Sequence, residues 1–541
     1  MNKKYFSTLL STISNRSKSG AMSWLAFENT PLRKYVSEVF SRPYGNDGNF
    51  IADSTFEAVF GWKPSNQTMQ ELSINLLSTE LVDAMNQPPK ELCEEYCFPK
   101  SRNPYEHQVA AWKLLSNPQA QSLIVSSGTG SGKTECFMIP ILDKLYREQN
   151  EIQGRLIGVR ALFLYPLNAL INSQRDRLEA WTAASNGNIR FCLYNGTTEE
   201  SIPRGNVDPD SCEIRDRKSL RAAPPPILVT NTTMLEYMLV RTQDASIIEQ
   251  SQGKLEWIVL DEAHTYIGSQ AAELALLIRR VVHAFGVSID NIRFVATSAT
   301  IGDTNGEAGV MLKDFLRKVA GVAEERVHLV SASRQVPELI STINNQIPDS
   351  LEELNELNNP HDLYLKLQEH PKARKIRNFF VENNVSSARK ISELCSFLGY
   401  GEQPSLPQQN EALQWIDLLS RAKHENGNLF LPLRAHIFHQ TMSGLWCCSD
   451  KNCKSKTDSH LMSAEWHYGQ VFFSPRINCT CGAPVFELVM CGDCGSAFLE
   501  AQEDSNGIIS QYKPFNVVDE FELEIKQDEE NDFDTQDELQ A

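Results

Sequence analysis

Between a short apolar run, Ser122 to Val125, and a stretch with helical apolar spacing from Glu135 to Leu142 stands Ser126-Ser127-Gly128-Thr129-Gly130-Ser131-Gly132-Lys133-Thr134. Strand, glycine-rich turn and helix in that order form the setting of a phosphate-binding loop, whose backbone amides and helix N-terminus favour an anion. Ser127, Gly128, Thr129, Gly130, Ser131, Gly132, Lys133 and Thr134 are therefore expected to hold a nucleoside triphosphate. Lys133 is placed to reach the β and γ phosphates, and the Thr134 hydroxyl to ligate magnesium. The first position of the pattern is Ser127 rather than glycine.

A second chemical constellation follows the apolar run Trp257 to Leu260, which delivers Asp261-Glu262-Ala263-His264. Adjacent carboxylates at a strand end have separable uses: Asp261 can hold magnesium, while Glu262 can orient and deprotonate an attacking water. His264 could relay contact between nucleotide and neighbouring segments. A further run, Ile292 to Ala296, ends in Thr297-Ser298-Ala299-Thr300, whose hydroxyls, Ser298 and Thr300 above all, could couple the carboxylate loop to another domain. Upstream, Gln108 opens an amphipathic stretch; its amide could read an adenine through donor and acceptor together, or simply cap the helix.

Cysteine usage is uneven. Of thirteen cysteines, six lie between Cys448 and Cys494, and clustering of that kind argues for metal rather than disulfides. The preferred zinc set is Cys448, Cys453, Cys479 and Cys481, with Cys491 and Cys494 either replacing one pair or completing a second site; Cys-x-x-Cys-Gly has the spacing of a zinc knuckle. A structural zinc is expected rather than a catalytic one, because no water-activating group accompanies the thiols. Cys93 and Cys97 are four apart, and buried core positions are the preferred reading for them.

Short apolar runs alternating with helical segments imply a parallel sheet covered on both faces, with functional loops at the strands' C-terminal ends. The expected organisation is an N-terminal accessory region (1–100), an α/β nucleotide-binding domain (101–330), a mostly helical region (331–440), a small cysteine-rich zinc-binding region (441–500) and an acidic tail or linker (501–541). Thr197 to Pro226, polar and proline-containing, reads as an exposed excursion. The net charge of −18 comes largely from Phe515 to Ala541, where eleven carboxylates face one lysine, so it does not exclude a cationic groove for nucleic acid elsewhere. No signal-peptide or membrane-spanning apolar segment is present in the sequence, and a cytoplasmic location is expected.

Taken together, these motifs resemble the first motor domain of superfamily 2 helicases of the DEAD/DEAH type. Ser127 to Thr134 is similar to motif I, with Ser127 where alanine is usual; Asp261-Glu262-Ala263-His264 is similar to motif II and Ser298-Ala299-Thr300 to motif III. The likeness implies a RecA-like fold over 101–330, ATP and Mg2+ as ligands, and Gln108 at the adenine-reading position. Tyr165-Pro166-Leu167-Asn168-Ala169-Leu170 and Thr230-Asn231-Thr232-Thr233-Met234-Leu235 are similar to motifs Ia and Ib, which implies that Pro166, Asn168, Thr230 and Asn231 contact a nucleic-acid backbone. Asn231 to Leu239, Leu431 to His436 and the cysteine pairs further resemble the large bacterial helicases with an interposed zinc region, such as those of Druantia-type antiphage systems. Ser386 to Leu394 is similar to a helix of a winged-helix unit, against the alternative of a plain helical spacer.

The resemblance implies an ATP-dependent helicase or translocase acting on nucleic acid, DNA in preference to RNA, in genome defence or repair. The competing classes are an RNA helicase and a nucleotide-binding scaffold that runs no motor cycle. Such motors close ATP against a second RecA-like domain, whose arginines lie in a Gln-x-x-Gly-Arg-x-Gly-Arg-like run; no such run follows Thr300. The chain is therefore expected to be the N-terminal motor part, a fragment or one half of a split enzyme, weakly active alone, with the second domain supplied by a C-terminal part or a partner chain.

Overall fold

The computed structural model describes residues 5–25, 28–128, 130–203, 211–266, 268–298, 307–339, 343–344, 351–382, 385–386, 388–442, 444–456, 460–505 and 507–511. The chain divides into two units, residues 62–335 and residues 1–61 together with 336–541. The stretch 1–100, expected as one region, is thus split at residue 61.

Unit 62–335 is built on eight strands: β1 (Ser122–Ser126), β2 (Ala161–Leu164), β3 (Phe191–Tyr194), β4 (Glu213–Ile214), β5 (Ile227–Thr230), β6 (Trp257–Leu260), β7 (Arg293–Ser298) and β8 (Val327–Ser331). They form one parallel sheet in the order β4-β3-β5-β2-β6-β7-β1-β8. Strand alternation sorts the side chains into two cores. Leu123, Val125, Phe163, Val229, Val259 and Val295 lie on one face with the helix Lys133–Ile152. Ile124, Leu162, Leu164, Leu228, Ile258 and Phe294 lie on the other with the helix Ser269–Ala284. A sheet buried on both faces needs continuous apolar strands, which is why these runs show no polar alternation.

Two expectations are corrected here. The stretch Thr197 to Pro226 is not simply an exposed excursion: its described residues return as the edge strand β4, pairing with Phe191 and Cys192, and as the helix Arg217–Ala222, which buries Leu220. Cys93 and Cys97 are not core residues. The helix Cys93–Tyr96 is a single turn with no buried residue, Cys93 is exposed, and Cys97 is half-buried with its thiol donating to the Asn86 carbonyl at 3.4 Å. Helical spacing places two residues on one face, but in this single turn, which contains Glu94 and Glu95, the residues packed against the core are Leu92 and Tyr96 and not the two cysteines.

In the other unit, Thr55–Ala58 inserts between Ala388–Lys390 and Leu433–His436 as the centre of an antiparallel three-stranded sheet. The helix Leu406–Arg421 carries Trp415, Ile416 and Leu419 into the core beside it. The expected helical region is therefore completed by the N-terminal strand, and the stretch Ser386 to Leu394, similar to a helix of a winged-helix unit, holds the strand Ala388–Lys390 before the helix Ile391–Phe397 begins. Four further strands, Val471–Phe472, Trp446–Cys448, Val485–Met490 and Ala497–Glu500, pair antiparallel in that order, and the clustered cysteines lie on Trp446–Cys448 and in the connections.

Candidate functional site

The phosphate-binding loop leaves β1 and enters the helix Lys133–Ile152 through Gly132, whose φ of 74° is a left-handed conformation. That backbone conformation favours glycine, and a Cβ there would also displace the Gln108 amide from the loop. Three consecutive loop carbonyls are held from outside by side chains. Trp62 Nε1 donates to Gly130 O at 3.2 Å, His107 Nε2 meets Ser131 O at 2.9 Å, and Gln108 Nε2 donates to Gly132 O at 3.3 Å. Carbonyls fixed in this way cannot swing into the path of an anionic ligand, and the loop keeps one shape before the ligand arrives. Ser127 and Ser131 hydroxyls bond each other across the turn.

Gln108 sits where the sequence places it, at the start of the helix Glu106–Leu115, but both ends of its amide are engaged with backbone: Oε1 accepts the Tyr105 N–H at 2.9 Å while Nε2 serves Gly132. The sequence alone assigns no role to Trp62 or His107. Trp62 ends an aromatic-rich segment without a motif, and only the fold brings it to the loop. Its indole face carries the Arg334 guanidinium at 3.3 Å from the ring centre, and His107 stacks on Tyr105. Burial lowers the pKa of His107, against the Ser131 carbonyl, which favours the charged form. The ring is thus neutral near pH 7 and presents one N–H.

The carboxylate loop leaves β6, and β7 lies between β6 and β1 in the sheet. The last two residues of β7 reach both sides. Ser298 accepts the Ser127 N–H through its carbonyl at 3.3 Å, while the Thr297 hydroxyl donates to Asp261 Oδ1 and accepts the Glu262 N–H at 3.1 Å. Glu262 has φ 48° and ψ 44°, a conformation that costs a non-glycine residue roughly 1–3 kcal/mol; the Thr297 bond helps to hold it. Thr297, and not only Ser298, is therefore part of the site, a residue inside the quoted motif whose role depends on which way its side chain leaves the strand. Thr300 and Thr129 lie outside the described residues.

Charge in the site is incompletely paired. Lys133 Nζ is buried and has no hydrogen-bond partner among the described residues. Asp261 is raised above the usual carboxylate range by burial, while the Thr297 hydroxyl and the Lys133 ammonium pull it back. Glu262 Oε2 lies 3.3 Å from His264 Nδ1 without hydrogen-bond alignment. A buried ammonium lacking a partner is costly unless an anion completes it. The donors fit a phosphate chain with its magnesium: amides and an ammonium for the anion, hydroxyl and carboxylate oxygens for a hard cation.

At the ends of β2 and β5, Asn231 Nδ2 donates to Asn168 Oδ1 at 2.9 Å, and Asn231 Oδ1 caps the helix Thr232–Val240 by accepting Met234 N–H at 2.7 Å. Pro166 is half-buried beside them, whereas Thr230 is fully buried and its hydroxyl donates to Tyr194 O at 2.6 Å. The two asparagines meet; the Thr230 side chain faces inward.

Cys448, Cys453, Cys479 and Cys481 converge, their sulfurs all within 4.8 Å of one another, with Cys448–Cys481 at 3.6 Å and Cys453–Cys479 at 3.5 Å. Tetrahedral thiolates about 2.3 Å from zinc stand about 3.8 Å apart, so the donor set and its spacing fit zinc. Burial would raise Cys479, but the Cys481 amide and the Ser455 hydroxyl bring it down to about 6, poised as a thiolate. Cys491 and Cys494 are not part of this group.

Residues 105–308 match the DEAD/DEAH box helicase family, and residues 471–541 match the YjiV N-terminal domain. The Druantia protein DruE of Escherichia coli (strain UMEA 4076-1) is 24 % identical over 78 % of this chain and 30 % of its own length. The uncharacterized ATP-dependent helicase YprA of Bacillus subtilis (strain 168) is 28 % identical over 37 % of this chain and 23 % of its own. Among solved structures, the DUF1998 helicase MrfA bound to DNA aligns with a TM-score of 0.35 at 23 % identity, over 57 % of this chain and 37 % of that one. The chain spans under a third of the length of these two curated relatives. With the phosphate-binding loop, the paired carboxylates and the sheet that presents them in place, residues 105–308 of this chain are a DEAD/DEAH box helicase domain.

Proposed function

We propose that this chain is the ATP-hydrolysing motor portion of a helicase or translocase that moves on DNA. The observation that carries the reading is the pre-shaped phosphate-binding loop, with three carbonyls held from outside and an unpartnered buried ammonium, facing a carboxylate pair fastened to the strand between them. Loop amides and Lys133 bind the phosphates, Thr134 and Asp261 hold magnesium, and Glu262 takes the proton of the attacking water. Magnesium, when bound, neutralises charge that develops on the phosphates. His264, beside Glu262, and the end of β7, with Ser298 and Thr300, transmit the nucleotide state. Gln108 acts on the nucleotide through the loop that it sets. Asn168 and Asn231, with Pro166 beside them, mark the track for the polynucleotide backbone, and the buried Thr230 side chain fixes the end of β5 from which Asn231 leaves; that track is shape- and charge-reading rather than base-reading.

DNA as the track, and genome defence or repair as the setting, follow the helicases that the sequence resembles and the DruE relative. A second RecA-like domain is proposed to supply arginines to the γ-phosphate, as such groups do in related phosphoryl-transfer enzymes. Structural Zn2+ at Cys448, Cys453, Cys479 and Cys481 holds the cysteine-rich region together. The cytoplasm is the proposed place of action. No helix among the described residues is long and apolar enough to cross a membrane. The test is ATP turnover by the protein with its natural second domain present, titrated with single-stranded DNA and with RNA of the same sequence. Stimulation by DNA at lower concentration than by RNA is expected. Turnover indifferent to either polymer would replace the motor by a nucleotide-binding scaffold.

A further inference from the structure

The turn that presents Cys491 and Cys494 closes in the same manner as the turn that presents Cys479 and Cys481, with one residue more. In the latter, Cys479 N–H donates to Ala483 O at 2.9 Å, Gly482 N–H returns to Cys479 O at 2.9 Å, and Gly482 has φ 92°. In the former, Cys491 N–H donates to Ser496 O at 2.9 Å, Gly495 N–H returns to Cys491 O at 2.9 Å, and Gly495 has φ 69°. Both are tight turns closed by a glycine amide, and each presents two thiols.

They differ in what they face. Cys479 and Cys481 meet Cys448 and Cys453; Cys491 and Cys494 belong to no group of three or more close metal-ligating side chains among the described residues. All the cysteines and histidines of the sequence are among the described residues, and none of them stands with Cys491 and Cys494 in such a group. Its place suits a ligand shared with another molecule. The turn joins Val485–Met490 to Ala497–Glu500, the last strand of its sheet, Cys494 is exposed, and Phe498 on that edge strand is 52 % exposed.

We propose that Cys491 and Cys494 are half of a zinc site whose other two ligands are the same two cysteines of a second copy of this chain. Structural zinc takes four ligands in a tetrahedron, and two from each copy close the shell around a two-fold axis with nothing left over. Four thiols bind one Zn2+ with release of four protons, and no electron transfer is involved. Exposed apolar surface beside an open strand edge is what such a contact would cover.

The experiment compares the whole 541-residue chain with its Cys491→Ser/Cys494→Ser variant in reducing buffer, reading zinc per chain by elemental analysis and mass by light scattering. The unmodified chain is expected to hold about half a zinc ion per chain more than the variant, to be dimeric with zinc, and to become monomeric on mild chelation; the variant stays monomeric throughout. That difference does not depend on whether the four-thiol group is filled. Hydrogen-exchange protection across residues 444–490 equal to that of the unmodified chain establishes that the cysteine-rich region of the variant is folded. Equal zinc content and equal mass in the two proteins would overturn the proposal. So would extra zinc on an unmodified chain that remains monomeric, which would place the missing ligands within the same molecule.

Discussion

The indole N–H of Trp62 lies 3.2 Å from the carbonyl of Gly130, across sixty-eight residues of sequence. The nucleotide site is thus shaped in part by a residue that precedes every motif in the domain, and the Arg334 guanidinium, stacked on the same ring, pins the indole through its face. Trp62→Phe keeps an aromatic ring and its cation contact but removes the donor. Loss of one such bond is worth about 1 kcal/mol, so ATP affinity, measured by calorimetry, is expected to weaken about fivefold, with hydrolysis of bound ATP little changed. An unaltered dissociation constant would mean that the loop holds its shape without this bond.

His107 gives the site a pH dependence. Burial depresses its pKa below the ordinary 6.5, so in acid the unfolded chain takes up the proton first. The stability it contributes is present above pH 6.5 and declines as the pH falls below that value toward the folded pKa. Between about pH 7.5 and 5.5 the melting temperature of the unmodified protein is expected to fall further than that of His107→Gln, whose amide can still donate to Ser131. Parallel losses in the two proteins would remove His107 from the account.

Thr297 joins Asp261 to the Glu262 backbone. Thr297→Val keeps the shape of the side chain and leaves both partners unsatisfied, at a cost of about 1–3 kcal/mol. The expected outcome is a kcat lowered by about tenfold or more with ATP binding retained, because the loss falls on the carboxylates and not on the phosphate-binding loop. Equal losses in binding and turnover would place the hydroxyl in ground-state binding instead.

The four-thiol group makes a local prediction. A structural metal contributes folding energy to the residues around it. Cys448→Ser is expected to lose one zinc ion per chain and to raise hydrogen exchange across residues 444–500, while nucleotide binding stays unchanged. Zinc-free protein with normal protection over those residues would refute the structural role.

Much of the site is legible in the residues themselves. Buried parallel strands announce themselves as continuous apolar runs, and Gly-Ser-Gly-Lys-Thr and Asp-Glu-Ala-His follow two of them, so those runs alone place the sheet and both loops. Cysteine spacing likewise points to Cys448, Cys453, Cys479 and Cys481. What stays hidden depends on contacts distant in sequence. Trp62 reaches the loop only because the chain beside it pairs with residues 333–334. Thr55–Ala58, four residues without a motif, forms the centre of a sheet whose other strands lie more than three hundred residues away. Cys93 and Cys97 have helical spacing, but spacing says nothing about whether a core lies opposite. Thr297 and Ser298 are neighbours with similar hydroxyls, and only the strand's direction decides which one meets Asp261.

The central claim is that Glu262 takes the proton from water attacking an ATP held by Lys133 and its loop. The direct measurement is single-turnover hydrolysis of γ-labelled ATP by excess protein, beside the affinity for the same nucleotide, for the unmodified chain and for Glu262→Gln. The amide keeps the side chain's shape but cannot accept the proton, and general base catalysis contributes about 10²–10⁴-fold. Affinity within about twofold and a rate lower by about a hundredfold or more is the expected result. Hydrolysis by Glu262→Gln at the rate of the unmodified chain would contradict the assignment.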